Sequence, residues 1–226
     1  ALVFLPRDRY TTDVREAIQR ILIDEMGGES VEHQARVTES VLARLFFVVK
    51  RPDDDPLTGE VDRAALQDRI EAAHVLVVGA GGLGVPVLQY LAGAGIGAIT
   101  LIDPDRVEES NLHRQPAYRM KDIGRYKVRA AARAIARLNP WIELLALPDR
   151  LTPANAPKLV GRADVVLDCA DSYAVSYTLS DACMAAGKPL ISASVLGVSG
   201  YVGGFCGGAP SLRALFPDPP DSGQTC

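Results

Sequence analysis

The residues best suited to chemistry begin at Gly79-Ala80-Gly81-Gly82-Leu83-Gly84, which follows an apolar run from His74 to Val78 and opens a helical pattern from Val85 to Ala94. In such a strand–turn–helix setting Gly79 permits the tight turn, Gly81 lets a phosphate approach the backbone, and Gly84 lets the helix pack close to the strand. Free amides and the helix dipole then attract anionic oxygens. Asp103 lies 24 residues beyond Gly79, at the end of the run Ala98 to Asp103, where a carboxylate can accept hydrogen bonds from ribose hydroxyls. Arg114 offers a planar fork for phosphate oxygens and Lys127 a compact point charge. Asp171 can hold Mg2+, a hard cation that keeps several waters and often takes a single protein carboxylate. Asn111 and Gln115 suit phosphate or ribose contacts. The candidate nucleotide cradle is therefore Gly79, Gly81, Gly82, Gly84, Asp103, Asn111 and Gln115, with Arg114, Lys127 and Asp171 as the charged groups.

The elements that must position these groups follow from pattern. His74 to Val78, Ala98 to Asp103, Trp141 to Leu147, Ala163 to Asp168 and Pro189 to Ala193 read as strands. Val85 to Ala94, Lys127 to Leu138, Pro153 to Leu159 and Val175 to Ala186 read as helices between them. Such alternation predicts an α/β fold, a Rossmann-like and mostly parallel sheet wrapped by helices, over residues 74–226. Residues 1–50 read as a small α+β unit: a strand at Leu2 to Leu5, a helix after the N-cap hydroxyls of Thr11 and Thr12 with Val14, Ile18, Ile21 and Leu22 at helical spacing, and strands near Val31 to Val37 and Leu45 to Val49. Residues 51–73 read as a linker and a short helix with Val61, Leu66 and Ile70 on one side. The aspartate run at 53–55 reads as solvated loop.

Composition removes several classes. With 24 Lys+Arg against 28 Asp+Glu the net charge is −4, which supports neither a nucleic-acid nor an anionic-membrane partner. Hydrophobic content of 48% with 23% charged residues is ordinary for a globular chain. The apolar runs fall far short of the ~20 residues of a membrane span, and the first ten residues do not read as a signal peptide. A cytoplasmic protein is expected. The four cysteines, Cys169, Cys183, Cys206 and Cys226, are widely spaced without CxxC, so neither a disulfide framework nor a zinc ribbon is encoded. Cys169 and Cys183 read as small core residues, and His33 and His74 as structural ones. Arg129, Arg133 and Arg137, at i, i+4 and i+8, read as a solvated helix face.

Taken in order, the GAGGLG turn, the run DPDRVEESNLHRQ at 103–115, Gly124-Arg125-Tyr126-Lys127 and Asp168-Cys169-Ala170-Asp171 resemble the adenylating domain of the ThiF/MoeB/HesA family, relatives of ubiquitin-activating enzymes. The resemblance covers about 74–226. It implies that Asp103 holds ribose, Arg114 and Lys127 phosphates, and Asp171 magnesium. It further implies an ATP-dependent adenylyltransferase that activates the C-terminal carboxylate of a ubiquitin-like sulfur-carrier protein, and a homodimer. Adenylation suits these residues, because a carboxylate nucleophile is already an anion. Orientation and compensation of the charge on departing pyrophosphate then carry the rate. Cys226 falls in the corresponding crossover loop, where a thiol can form a thioester or acyl disulfide with the activated carrier, although many relatives only adenylate.

The chain departs from the family pattern in three places. The zinc-binding P-C-x-x-C-x-x-P stretch reads Pro210-Ser211-Leu212-Arg213-Ala214-Leu215-Phe216-Pro217, so no structural zinc is expected. Ser172 and Ser176 stand where asparagine and arginine are usual. The family's last strands and helices are not represented before Cys226.

Residues 1–73 resemble instead an ACT-like segment of large NAD-specific glutamate dehydrogenases, in VFLPRDRYTTDVREAIQRIL and SVEHQARVTESVLARLFFVV. Arg9-Tyr10 only partly echoes the R-Y-x-R-Q helix of the adenylating family. Two other readings stay open at this point. The glycine turn with Asp103 also fits an NAD-dependent oxidoreductase, and the departures fit a degenerate nucleotide-binding or regulatory interaction module.

Overall fold

The computed structural model describes residues 2–6, 11–26, 28–36, 42–50, 63–196 and 199–217. The chain divides into two compact units, residues 1–61 and 62–226. The first contains β1 (Leu2–Pro6), α1 (Thr12–Met26), β2 (Ser30–Arg36) and β3 (Leu42–Lys50), with the strands in the antiparallel order β1-β3-β2. The Thr11 hydroxyl accepts the Val14 amide at 3.3 Å, an N-cap that starts α1. Ile18, Leu22 and Val31 pack on Phe47, which is fully buried. Ile21, predicted on the same apolar face, is exposed. His33 meets Arg15 and the Phe47 ring. Arg9, Tyr10, Val61 and the aspartates at 53–55 lie outside the described residues.

The second unit contains α2 (Arg63–Ala72), β4 (His74–Val78), α3 (Gly84–Ala94), β5 (Ala98–Ile102), α4 (Lys127–Leu138), β6 (Glu143–Leu147), α5 (Ala156–Arg162), β7 (Val165–Asp168), α6 (Tyr173–Ala186), β8 (Pro189–Leu196), β9 (Ser199–Cys206) and α7 (Leu212–Leu215). The sheet order is β6-β5-β4-β7-β8-β9, parallel except for the β8–β9 pair. β4 is buried on both faces, as its unbroken apolar run requires. Val75 and Val77 face α3 and α4, in a cluster with Leu88, Val128 and Ile135. Leu76 and Val78 face the other layer, with Val160, Leu179 and Leu190.

Several expected boundaries move. α5 begins at Ala156 rather than near Pro153, because Thr152 and Asn155 exchange hydrogen bonds, Thr152 N–H to Asn155 Oδ1 at 2.8 Å and Asn155 N–H to Thr152 Oγ1 at 3.4 Å, and hold a turn there. Leu66, predicted on a buried side of its helix, is exposed, whereas Ile70 packs on the core. β9 and α7 have no counterpart among the expected elements. Among the described residues no helix is long and apolar enough to cross a membrane.

Candidate functional site

The chain order reverses between β4 and β7: β5 and β6 lie on one side of β4, and β7 and β8 on the other. Loops leaving the C-terminal ends of these two strands diverge and leave a crevice. A cleft of about 490 Å3 opens there, and Gly79, Gly81, Gly82, Asp103, Arg114, Gln115, Lys127 and Asp171 all line it. Residues spread over 93 positions are thus brought together. Gly84 lies at the start of α3, beneath the turn. Asn111 is not among the lining residues. Its Oδ1 accepts the Glu108 amide at 3.1 Å and closes the short turn that precedes Arg114 and Gln115. Cys226 lies outside the described residues.

The glycine turn is constrained from below and open above. Gly79 has φ +100°, and a Cβ there would sit 2.5 Å from the Cys169 carbonyl oxygen; a Cβ at Gly84 would run into the Gly79 carbonyl. Neither position accepts a larger residue. A Cβ at Gly81 would meet only the Gln115 side chain at 3.8 Å, so the upper face of the turn is open to a ligand. Tyr118, buried and 38 residues away, donates its hydroxyl to the Ala80 carbonyl at 2.7 Å and pins the turn in place. Burial pushes its phenol pKa well up, helped by the nearby Asp103 charge.

Asp103 is 8% exposed. Its Oδ2 accepts the Ala80 amide at 2.7 Å and its Oδ1 the Asp105 amide at 2.8 Å. Burial holds its pKa above the ordinary value, an effect the two amides oppose only in part. The carboxylate is thereby locked against the glycine turn. Lys127, the first residue of α4, is also largely buried, with Nζ 2.9 Å from Asp105 Oδ2. Arg114 is exposed, and its guanidinium donates to the Ser110 carbonyl at 2.9 Å. Gln115 is 2% exposed, yet its Oε1 has no hydrogen-bond partner. A buried, unpaired acceptor is costly in a folded protein unless a ligand or water completes it. Gln115 lines the cleft, so a ligand or water that reached Oε1 there would complete this acceptor.

Four contributors were not expected from sequence. Asp105 partners Lys127, Tyr118 holds the turn, and Arg150 lines the cleft from the loop after β6. Asp168 lies beneath the cleft, accepting the Ser192 hydroxyl at 2.8 Å and the Ala170 amide at 3.2 Å. Asp105 carried a signal, the D-x-D spacing after a strand; Arg150 carried none. Cys169 is not simply a core residue, since it lines the cleft. Burial nevertheless pushes its thiol up to about 12. His74 is structural: its ring nitrogens meet the Arg162 carbonyl and the Thr100 hydroxyl. Arg129, Arg133 and Arg137 are exposed, with Arg133 paired to Asp122 at 2.9 Å and Arg129 stacked over Tyr126.

The stretch 210–217 does not fit a zinc ion. Ser211 and Ala214 stand where two thiolates are needed, and neither is a ligand of that kind. Organic contacts hold the segment instead. Leu212 is fully buried and its amide donates to Ser180 Oγ at 3.0 Å, while Arg213 forks onto Asp181 with both bonds at 2.8 Å.

The ThiF family model matches residues 56–226, and the model described as glutamate dehydrogenase, ACT2 domain, matches residues 1–75. The sulfur carrier protein adenylyltransferase of Thermus thermophilus is 42% identical over 163 residues, covering 70% of this chain and 60% of that protein. The adenylyltransferase and sulfurtransferase MOCS3 of Bos taurus is 50% identical over 155 residues, covering 68% of this chain and 34% of that one. The chain thus spans between about a third and 60% of the length of these relatives. Among solved structures, E. coli MccB with ATP superposes with a TM-score of 0.61 at 29% identity, covering 64% of this chain and 44% of that one. E. coli tRNA N6-threonylcarbamoyladenosine dehydratase, TcdA, in complex with ATP, superposes with a TM-score of 0.56 at 32% identity, covering 60% and 56%. With its fold, its glycine turn and a family match over three quarters of its length, this chain belongs to the ThiF family.

Proposed function

We propose that this protein is an ATP-dependent adenylyltransferase, and that its substrate is the C-terminal carboxylate of a ubiquitin-like sulfur-carrier protein. The observation that carries the reading is the convergence of Arg114, Lys127 and Asp171 on the cleft above the glycine turn. In the reaction a carboxylate oxygen attacks the α-phosphorus of ATP, the bond to the bridging oxygen breaks, and pyrophosphate leaves with the electron pair. No proton has to move, so the protein supplies placement and charge. The amides of the glycine turn and the buried Lys127 ammonium face the phosphates, Asp103 faces the ribose, and Arg114 compensates charge that grows on the leaving group. Gln115 Oε1 offers an acceptor to the bound nucleotide.

Asp171 would hold Mg2+, and Asp105, which lines the same cleft, is close enough in kind to assist; when bound, the ion neutralises phosphate charge and fixes phosphate geometry. The carrier partner is supported by the name of the Thermus relative and by an apolar face beside the cleft. Ile191, Val195 and Val202 are exposed on one side of the β8–β9 hairpin, where Ala193 pairs with Val202, and Val195 also lines the cleft. A homodimer working on the cytoplasmic ATP pool completes the reading, with light scattering of the full chain as its check. Cys226 would accept the activated acyl group after adenylation, its thiolate attacking the acyl carbon with AMP as the leaving group.

Calorimetry with ATP and with NAD separates this reading from an oxidoreductase. Magnesium-dependent ATP binding without NAD binding is expected; the reverse would replace the proposal.

A further inference from the structure

We propose that Asp168 is a positioning residue. With Ser192 and Tyr201 it forms a hydrogen-bonded relay that fixes the loop presenting Asp171 and ties it to segment 211–217.

Asp168 is the last residue of β7 and the register partner of Ser192 on β8. It is 1% exposed and is not among the cleft's lining residues, so it acts through others. One carboxylate oxygen, Oδ1, accepts the Ala170 amide at 3.2 Å, one residue before Asp171. The other, Oδ2, accepts the Ser192 hydroxyl at 2.8 Å. A serine hydroxyl has one proton. Because Ser192 gives it to the carboxylate, the Tyr201 hydroxyl, 3.0 Å from Ser192 Oγ, must be the donor in that contact. The relay therefore has a direction, from Tyr201 through Ser192 to Asp168.

Its far end reaches another part of the fold. The Tyr201 ring packs 5.4 Å from that of Phe216, and the Phe216 carbonyl accepts the Tyr177 hydroxyl at 2.8 Å. Arg213, three residues earlier, covers the Tyr177 ring at 4.5 Å while forking onto Asp181. Segment 211–217 and the Asp171 loop thus share one anchor. A carboxylate buried this deeply is costly, and an apolar residue would fill the space more cheaply. Its bonds run to the loop on one side and to the relay on the other, with the Ser176 side chain of α6 as a further partner. The consequence for nucleotide binding rests on the adenylation reading; the relay itself does not.

Hydrogen exchange and ATP calorimetry on the full chain test the proposal, with Tyr201→Phe and Ser192→Ala as the principal variants. Tyr201→Phe removes one oxygen from a half-buried ring and should fold. It should speed exchange of the Ala170 to Ser172 amides several-fold while β4 and β5 keep their protection. It should also weaken binding of ATP with magnesium several-fold more than binding of ATP alone. Asp168→Asn keeps an acceptor for Ala170 and can donate to Ser192, reversing the relay, so it should retain protection that Asp168→Ala loses. Unchanged exchange at 170–172 in both Tyr201→Phe and Ser192→Ala would overturn the relay. A wild-type chain that binds no magnesium–ATP, with the exchange effect intact, would refute the nucleotide reading and still support the relay.

Discussion

Lys127 Nζ lies 2.9 Å from Asp105 Oδ2, and the Lys127 amide also donates to the Asp105 carbonyl at 2.9 Å. Two bonds therefore fasten the first residue of α4 to the loop after β5. The lysine side chain is 10% exposed and the aspartate 58%, so the cation is held in place by an anion that itself remains open to the cleft. A preorganised ammonium of this kind need not be ordered when phosphate arrives. Lys127→Met should lower kcat/KM for adenylation by two or more orders of magnitude, since each ~1.4 kcal/mol lost is tenfold. Asp105→Asn should act chiefly through KM for ATP, and steady-state kinetics distinguishes the two.

Tyr118 tests the turn from underneath. Tyr118→Phe keeps the ring and removes the hydroxyl that the Ala80 carbonyl accepts. Loss of one buried hydrogen bond should cost about 1 kcal/mol of stability. The loosened turn should also raise KM for ATP several-fold with less change in kcat. Denaturant titration and initial rates read the two effects separately.

Thiol reactivity follows from burial. Cys169 and Cys183 are each pushed up to about 12, so at pH 8 only about 10⁻⁴ of either is thiolate, the reactive form. Cys206 is raised as well and is buried. Alkylation of the native protein by iodoacetamide at pH 8 should leave all three unmodified, and peptide mass mapping checks this. Modification of Cys169 at the rate of a free thiol would show that the cleft floor opens.

The Arg213 fork onto Asp181 gives a pH prediction. Hydrogen bonding to Arg213, more than its charge alone, holds the Asp181 carboxyl below its ordinary value of 3.8. A carboxyl depressed in the folded state stabilises it above the unfolded value, and that contribution is lost as pH falls through the folded one. The Tm difference between wild type and Asp181→Asn should therefore be steady near neutrality and shrink below pH 3.8. Added salt should also reduce it, because both side chains are largely exposed and screened.

The parallel strands β4, β5 and β7 were legible because continuous apolar runs broken by glycine or an acid have few other readings. The glycine turn, Asp103, Lys127 and Asp171 could be read from sequence because each falls in or beside a strand end or a helix start, whereas Arg114 and Gln115 lie in the loop between β5 and α4 and stood out only as part of the motif run 103–115. β9 was not, since Gly200, Gly203 and Gly204 dilute its alternation and only pairing with β8 makes it a strand. Tyr118 and Arg150 gave no local signal, because their value comes from contacts across 38 residues in one case and from the lining of a shared cleft in the other. Asn111, chosen for polarity within the motif, puts its side-chain oxygen into shaping the turn that carries Arg114. A polar side chain in a motif can thus be the scaffold of a site rather than its contact.

Carrier-dependent exchange of labelled pyrophosphate into ATP addresses the central claim most directly, because it reports formation and reversal of an acyl-adenylate. With magnesium and a sulfur-carrier protein ending in a free carboxylate, label should enter ATP, and Arg114→Ala or Asp171→Ala should lower the rate by orders of magnitude. Exchange that proceeds unaltered in both variants, or a failure of exchange with every carrier and carboxylate peptide although ATP binds, would contradict the account.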